Sequence, residues 1–273
     1  MASPRTNWLG TLLLTLGASL LASCSSTRVD LAAWRASQVA APLVAPDVAS
    51  ELDALERRRN ERDLRGARQL ALALAAAVPG DARVLSAASR AESDAMTFFS
   101  AEDRKARDHA AASALDYAER AEAAGASSAA ALGQLAWALG TTTHLQPMFE
   151  RAGHASRTVR AAERALEADA EQTTAHATLA LVHLRLETLP WIASVMAFGA
   201  PKSSLKEAEQ HARRACELEP SRENRQILAK VLIARGQRDQ ARALLDLALA
   251  APAQHPRDDA LEPALRTLRR SLD

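Results

Sequence analysis

The sequence predicts an all-α fold, an α-solenoid of about five helix pairs followed by a C-terminal capping helix. Three observations support it. Alanine, leucine, arginine and glutamate, all strong helix formers, dominate the 273 residues, while aromatic residues make up only 3%. Apolar residues recur with the 3.6-residue period of a helix, and proline or glycine separates the periodic segments. Strand-forming residues do not cluster at any point.

The clearest repeat unit covers residues 48–79. Its second half has an apolar stripe at i, i+3, i+4 and i+7 spacing, formed by Ala67, Leu70, Ala71 and Leu74. Pro79 and Gly80 then end the helix. Small residues are needed where the two antiparallel helices of one repeat approach each other closely. This pattern is typical of the second half of a 34-residue tetratricopeptide repeat (TPR).

The same element recurs along the chain. Similar second helices are predicted at 112–123, 160–170, 204–220 and 239–252. First helices are predicted before them at 48–59, 82–99, 127–142, 172–187 and 222–235. The first-helix consensus of the repeat is mostly missing, with Leu132-Gly133 as a fragment, so the prediction depends on the second helices and their number. A last helix, 257–272, places Leu261, Leu265 and Leu268 on one face and is expected to cap the solenoid.

The N-terminus has the pattern of a targeting segment. Arg5 precedes an uncharged run at 8–21, about 14 residues, which is too short for an ordinary spanning helix. Leu21-Ala22-Ser23-Cys24 resembles the lipobox of bacterial lipoproteins. The resemblance implies a signal peptide at 1–23, removed before Cys24, and acylation of Cys24 as a membrane anchor. The alternative is an ordinary secretory signal followed by an unrelated cysteine.

Ser25 follows the cysteine and, by analogy with Gram-negative sorting, favours the periplasmic face of the outer membrane. Residues 24–47 are then the lipidated cysteine and a flexible tether, and residues 48–273 are the TPR-like repeat domain. In a second interpretation of the tether, Leu31, Trp34 and Val39 form a short helix that docks on the domain.

The C-terminal third resembles a known family. The matching residues include Leu189-Pro190-Trp191, Phe198-Gly199 followed by Pro201, Glu217-Leu218-Glu219-Pro220 and Leu228-Ala229-Lys230. Over residues 180–268 the chain is similar to the regulator of microtubule dynamics family, whose members are TPR-like. The resemblance implies the fold and a protein-interaction role. A microtubule role does not carry over to a lipoprotein outside the cytoplasm.

An apolar insertion at 189–203 separates two helices of one repeat. It contains Trp191, Met196 and Phe198 at short spacing. In one interpretation these side chains pack over their own repeat and fill a gap. In the other they form the wall of a ligand-binding groove. The same residues fit both interpretations, and the burial of Trp191 and Phe198 discriminates between them.

The sequence does not predict a catalytic, cofactor or metal site. His176 and His183 share a helix face without a carboxylate at ligand spacing, and Glu150 with His154 is an isolated pair. Cys216 lies in a small-residue stripe and is expected to be a buried thiol rather than a nucleophile. The net charge of +1 gives no basic excess for nucleic acid. The charged run 56–59 is interpreted as a solvated helix face.

Two functions remain open from the sequence. The first is a scaffold that holds an envelope protein or peptide on the concave face formed by the first helices, near the membrane. The second is an accessory lipoprotein, similar to the TatT-like components of tripartite transporters, that binds a small apolar solute. A closed apolar cavity beside the insertion favours the second function, and an open polar groove favours the first.

Overall fold

The computed structural model describes residues 46–99, 103–189 and 200–273. The predicted anchor Cys24 and the insertion residues Trp191, Met196 and Phe198 lie outside these residues. Neither the acylation of Cys24 nor the burial of the insertion is therefore tested by the structure. In the part of the chain that is described, no helix has both the length and the apolar character needed to cross a membrane.

Eleven α-helices make up the described residues. They are α1 (Val48–Asn60), α2 (Leu64–Ala77), α3 (Ala82–Ala95), α4 (Arg104–Ala123), α5 (Ala129–Thr142), α6 (Arg151–Ala168), α7 (Thr173–Glu187), α8 (Leu205–Leu218), α9 (Arg222–Ala234), α10 (Arg238–Ala250) and α11 (Asp258–Arg270). Consecutive helices form five antiparallel pairs, from α1–α2 to α9–α10, and α11 packs on α9 and α10. The predicted fold class, five helix pairs with a C-terminal cap, is confirmed.

Two second helices begin earlier than the sequence predicts. The predicted helix at 112–123 is the C-terminal part of the 20-residue α4, and the predicted helix at 160–170 is the C-terminal part of the 18-residue α6. Both early turns are polar or alanine-rich, so they lack the apolar period on which the prediction depends. Asp103 begins α4, because its carboxylate accepts a hydrogen bond from the Ala106 amide at 3.2 Å.

The small-residue stripes form the core between paired helices. In α8 the alanines at 208, 212 and 215 are almost fully buried. In α10 the corresponding stripe of Ala241, Leu245 and Ala248 is 0% exposed at each position. Alanine at the contact allows the two helix axes to approach closely, which is the spacing that a helix pair of this kind requires.

Short polar residues and glycines mark the helix boundaries. Side chains of Asp63, Asp81, Ser128 and Ser221, among others, accept hydrogen bonds from first-turn amides. After α9, Gly236 adopts a φ of 77°, a left-handed conformation that closes the helix and that glycine adopts without steric cost. These local features explain why the sequence locates most boundaries within a few residues.

The first and last repeats of the solenoid are in contact. Arg62, in the turn between α1 and α2, donates a 2.8 Å hydrogen bond to the carbonyl of Ala253, 191 positions away. Arg62 also lies 3.5 Å from the carboxylate of Asp259 in α11. The loop between α10 and α11 therefore reaches the first repeat, so the inner face of the superhelix is closed at one side.

Candidate functional site: the central cavity

A cavity of about 520 Å³ lies on the inner face of the superhelix. We call it the central cavity. Its walls come from the first helices α1, α3, α5, α7 and α9 and from the loop that precedes α11. The concave face of the first helices, which the sequence predicts as a binding surface, therefore forms a pocket. The volume lies within the range of roughly 300–1,000 Å³ that is usual for ligand pockets.

The central cavity is polar, and carboxylates outnumber arginines among its described residues. The arginines are Arg59, Arg90 and Arg257, and the carboxylates are Asp94, Asp169, Glu171, Glu219, Glu223 and Asp258. His255 also contributes to the lining. Several of these groups form ion pairs with each other. The balance of formal charge in the cavity is nevertheless negative, while the whole chain carries a net charge of only +1.

Arg257 joins three helices at the cavity wall. Its Nη2 lies 2.9 Å from Oε1 of Glu223 in α9, and its Nε lies 4.0 Å from Oδ1 of Asp94 in α3. Its guanidinium carbon is 5.5 Å from the ring centroid of Trp137 in α5, at cation–π distance. Burial raises the pKa of Glu223, and the positive charge of Arg257 opposes that rise. One side chain thus connects the last loop to the middle and to the first half of the solenoid.

The charged run at 56–59 is only partly solvated, which corrects its interpretation as a solvated face. Arg59 is 13% exposed at the side chain, and its Nε donates to Oδ2 of Asp94 at 2.9 Å. Glu56 receives hydrogen bonds from Arg59 at 3.2 Å and from Arg90 at 3.0 Å. Two residues of this run, Glu56 and Arg59, therefore form ion pairs with Arg90 and Asp94 of α3 at the edge of the central cavity.

A buried amide fixes one wall of the cavity. The Nε2 of Gln134 in α5 donates at 2.9 Å to the hydroxyls of Ser89 and Ser93 in α3. One turn later on the same helix, Trp137 is 8% exposed, and its indole nitrogen has no hydrogen-bond partner among the described residues. Trp137 also lines a second cavity, so its ring lies between the two.

Most residues that build the central cavity were not singled out by the sequence. Asp94, Trp137 and Arg257 lie in three different repeats, and no local motif connects them. Of the predicted binding residues, Trp191, Met196 and Phe198 fall outside the described residues. The two described residues that flank this segment, Leu189 and Ala200, line the second cavity rather than the central one.

The histidines form contacts that the sequence did not predict. His211 of α8 joins His176 and His183 of α7: the Nδ1 atoms of His176 and His211 are 2.9 Å apart, and the rings of His183 and His211 stack at 6.0 Å. Within the described residues, no group of three histidine, cysteine, aspartate or glutamate side chains is placed to hold a metal. His154 instead bonds the carbonyl of Leu139 at 2.8 Å in the core.

Cys216 has the properties expected of a structural thiol. It packs against the core cluster that includes Leu228 and Leu232 and is partly buried. Burial raises the pKa of its thiol to about 12. The reactive thiolate is therefore scarce at neutral pH, which agrees with the interpretation of Cys216 as a core residue rather than a nucleophile.

The histidine cluster predicts a loss of stability in mild acid. Burial, together with the neighbouring His176 and His183, lowers the pKa of His211 to about 4, and Glu207 opposes this shift. Between pH 6.5 and about 4 the unfolded state therefore binds more protons at this site, so acid favours unfolding. Because His211 is partly solvated, we expect a loss of about 1–2 kcal/mol over this range. Thermal unfolding at pH 7 and pH 4.5 measures it.

The matched variant is His211→Gln, which removes the titrating ring. Its unfolding temperature should fall less between the two pH values than that of the wild type. Part of the fall remains, because burial also lowers the pKa of His154. An equal fall in both proteins would show that His211 does not contribute to the pH dependence.

Known proteins with a similar structure or sequence support the TPR-like fold. A crystal structure of a thermophilic TPR protein from Thermus thermophilus superposes with a TM-score of 0.56 at 18% sequence identity, covering 82% of this chain and 97% of that chain. A search of curated proteins finds no match to the sequence. The family described as Regulator of microtubule dynamics protein 1-3 matches residues 48–273, which include all eleven helices and extend well beyond the resemblance at 180–268. The chain is therefore a TPR-like member of the Regulator of microtubule dynamics protein 1-3 family.

Proposed function

We propose that this chain is a lipoprotein anchored through Cys24 to the outer membrane, where its TPR-like domain holds an envelope protein or peptide. The observation that carries the proposal is the central cavity, which the first helices of all five pairs enclose. First helices form the inner surface of a helical-repeat superhelix, and such surfaces are the usual binding faces of solenoid proteins. The fold and the family both support an interaction role.

The location in the envelope depends on the sequence alone. The lipobox pattern of Leu21-Ala22-Ser23-Cys24 favours acylation, and Ser25 favours sorting to the outer membrane. More than one acyl chain at Cys24 would anchor the chain stably. A tether of residues 25–47 would then set the distance between the membrane and the cavity.

The charges of the cavity indicate the kind of segment that it binds. Its described residues include six carboxylates against three arginines, and the side chain of Glu171 is largely exposed while that of Glu219 is half-buried. A segment with lysine or arginine side chains complements this balance. The unpartnered indole nitrogen of Trp137 offers a donor to a backbone carbonyl if a bound chain shifts the ring.

An obstructing substitution tests the cavity as the binding site. Ala130 lines the central cavity from α5 and is exposed, so Ala130→Trp fills space without entering the core. Envelope partners are crosslinked to the mature protein and quantified by mass spectrometry. We expect the partner that the wild type enriches to fall at least tenfold with Ala130→Trp, because a buried contact of about 1.4 kcal/mol corresponds to a factor of ten.

The control for this experiment is Ala123→Trp, the same change at an exposed alanine at the end of α4, which does not line the cavity. It should retain the partner at the wild-type level. If Ala130→Trp retains the partner as well, the partner does not bind in the central cavity.

The anchor has its own test. Cys24→Ala removes the sulfur that would carry the lipid, so the protein should move from the membrane fraction to the soluble fraction, and labelled palmitate should no longer be incorporated. Fractionation with immunodetection measures the distribution. Retention of the variant in the membrane fraction would contradict the lipoprotein assignment.

A further inference from the structure

A second cavity, of about 500 Å³, lies away from the central cavity on the other side of Trp137. We call it the apolar cavity. It is enclosed by the C-terminal half of α5, the start of α6 and the C-terminal half of α7. Its walls include Ala152, Ala155, Leu181, Val182 and Leu186. Aliphatic side chains of this kind favour an apolar occupant over water.

The ionisable residues of the apolar cavity are all bases. Among its described lining residues they are His144, Arg151 and Arg185, and no aspartate or glutamate is present. This is the reverse of the central cavity, where carboxylates outnumber arginines. His144 is already bonded to Asp108 at 2.8 Å, so its ring is directed to a partner outside the cavity.

The two arginines are held by backbone carbonyls and form no ion pair with any described carboxylate. Arg185 donates from Nη1 to the carbonyl of Gly140 at 2.9 Å. Arg151 donates from Nε to Gln146 at 3.0 Å and from Nη2 to His144 at 3.1 Å, in both cases to the carbonyl oxygen. Both residues are exposed while lining the cavity, which places them at its mouth.

This arrangement differs from that of the three arginines in the central cavity. Arg59, Arg90 and Arg257 all have carboxylate partners. A guanidinium that is oriented by carbonyls keeps donors available, and its planar fork matches a carboxylate. Apolar walls with two such groups at the mouth therefore complement a molecule with one hydrocarbon chain and one anionic end.

We propose that the apolar cavity binds a long-chain carboxylate, with its hydrocarbon chain along α6 and α7 and its carboxylate on Arg185 and Arg151. The hydrocarbon chain of the ligand leaves water and packs against the aliphatic walls of the cavity. The carboxylate of the ligand forms hydrogen bonds with the two arginines in place of those that it forms with water. This binding lies outside the scaffold role and corresponds to the small apolar solute of the second function that the sequence leaves open. It does not depend on the scaffold role, because the described linings of the two cavities have only Trp137 in common.

Calorimetric titration of the mature chain with dodecanoate, below its micelle concentration, tests the proposal. We expect saturable binding at one site per chain. Dodecanol has the same hydrocarbon chain but no charge, and it should bind at least tenfold more weakly. Butanoate has the same carboxylate but a short hydrocarbon chain, and it should not bind measurably. These two ligands separate the contributions of head and chain.

Amino-acid substitutions test where the ligand binds. Arg185→Gln should weaken dodecanoate binding about tenfold or more, the factor expected for a lost hydrogen bond to a charged group, and should leave dodecanol binding unchanged. Ala152→Phe, which narrows the apolar walls, should weaken both ligands. The control Arg270→Gln removes another exposed arginine that donates to a carbonyl, that of Arg266, and should bind as the wild type does. Circular dichroism confirms that each variant is folded.

The outcomes against the proposal are distinct. Failure of the wild type to bind dodecanoate, including failure because the chain's own segment at 190–199 fills the cavity, overturns it. So does wild-type affinity in Arg185→Gln, which would make the site a purely apolar one. Ala130→Trp, which obstructs the central cavity, should leave dodecanoate binding intact, so a failure of the scaffold proposal and a failure of this one are separable.

Discussion

Replacing Arg68 with alanine should lower the free energy of unfolding by about 3–5 kcal/mol, the loss expected when one partner of a buried ion pair is removed. Arg68 of α2 donates from Nη2 to both oxygens of Glu92 in α3, at 3.1 and 3.2 Å. The side chains are 11% and 1% exposed. Without the guanidinium, the Glu92 carboxylate stays buried between the first two repeats and loses its ion pair with Arg68. Chemical denaturation followed by circular dichroism measures the loss.

Two further variants separate burial from charge. Arg83→Ala breaks a pair with Asp81 of similar length, 2.8 Å, but its arginine is 65% exposed, so the loss of stability should be far smaller than in Arg68→Ala. The double variant Arg68→Met with Glu92→Leu removes both charges and should recover most of the stability lost in Arg68→Ala. A loss below about 1 kcal/mol in Arg68→Ala would mean that water reaches this pair in the folded protein.

The helix pairs could be predicted because their determinants are local. A 3.6-residue apolar period and a proline or glycine stop lie within one segment, and the small-residue stripes at Ala208 and Ala241 are buried as predicted. The starts of α4 and α6 were predicted too late for the same reason, because the first turns of these helices are polar and carry no apolar period. The N-cap residue Asp103 is the local pattern that marks the start of α4, whereas α6 has no side-chain cap at its start.

The central cavity could be predicted only as a face, not as a set of residues. Small rotations between successive repeats decide whether the loop before α11 reaches the first repeat, and these rotations depend on the shapes of many side chains. The contact between Arg62 and Ala253 therefore has no local pattern in the sequence. The same argument explains why the position of Arg257 could not be predicted. In the sequence it is one of several arginines near the C-terminus, and only the superhelix brings it beside Asp94 and Trp137.

The burial and ion-pair partners of charged side chains could be predicted least well from the sequence. A run such as Glu56 to Arg59 fits a solvated helix face, and Arg57 and Arg58 are in fact exposed or paired at the surface. Arg59 lies on the inner face of the same helix and pairs with Asp94. Because successive helical residues are about 100° apart, one charged run supplies both surface charges and inner-face partners. The identity of a residue does not show which of the two it is.

The capping helix should be the other sensitive point, and Leu265→Ala should lower the free energy of unfolding by about 2–5 kcal/mol. Leu265 is 0% exposed and belongs to the core cluster with Val231, Ala241 and Leu245 of the last helix pair. The truncated side chain leaves a cavity, and it also weakens the helix that shields the last repeat from water. Thermal and chemical unfolding measure the first effect, and amide hydrogen exchange in α10 measures the second.

A matched control lies on the helix that the cap covers. Leu247 of α10 is 56% exposed, so Leu247→Ala should change stability by no more than about 0.5 kcal/mol. Faster exchange in α10 with Leu265→Ala, and unchanged exchange with Leu247→Ala, would show that the cap stabilises the last repeat through this one buried contact. Equal losses in the two variants would contradict it, because the cost would then follow from removing any leucine rather than from opening the interface between α11 and the solenoid.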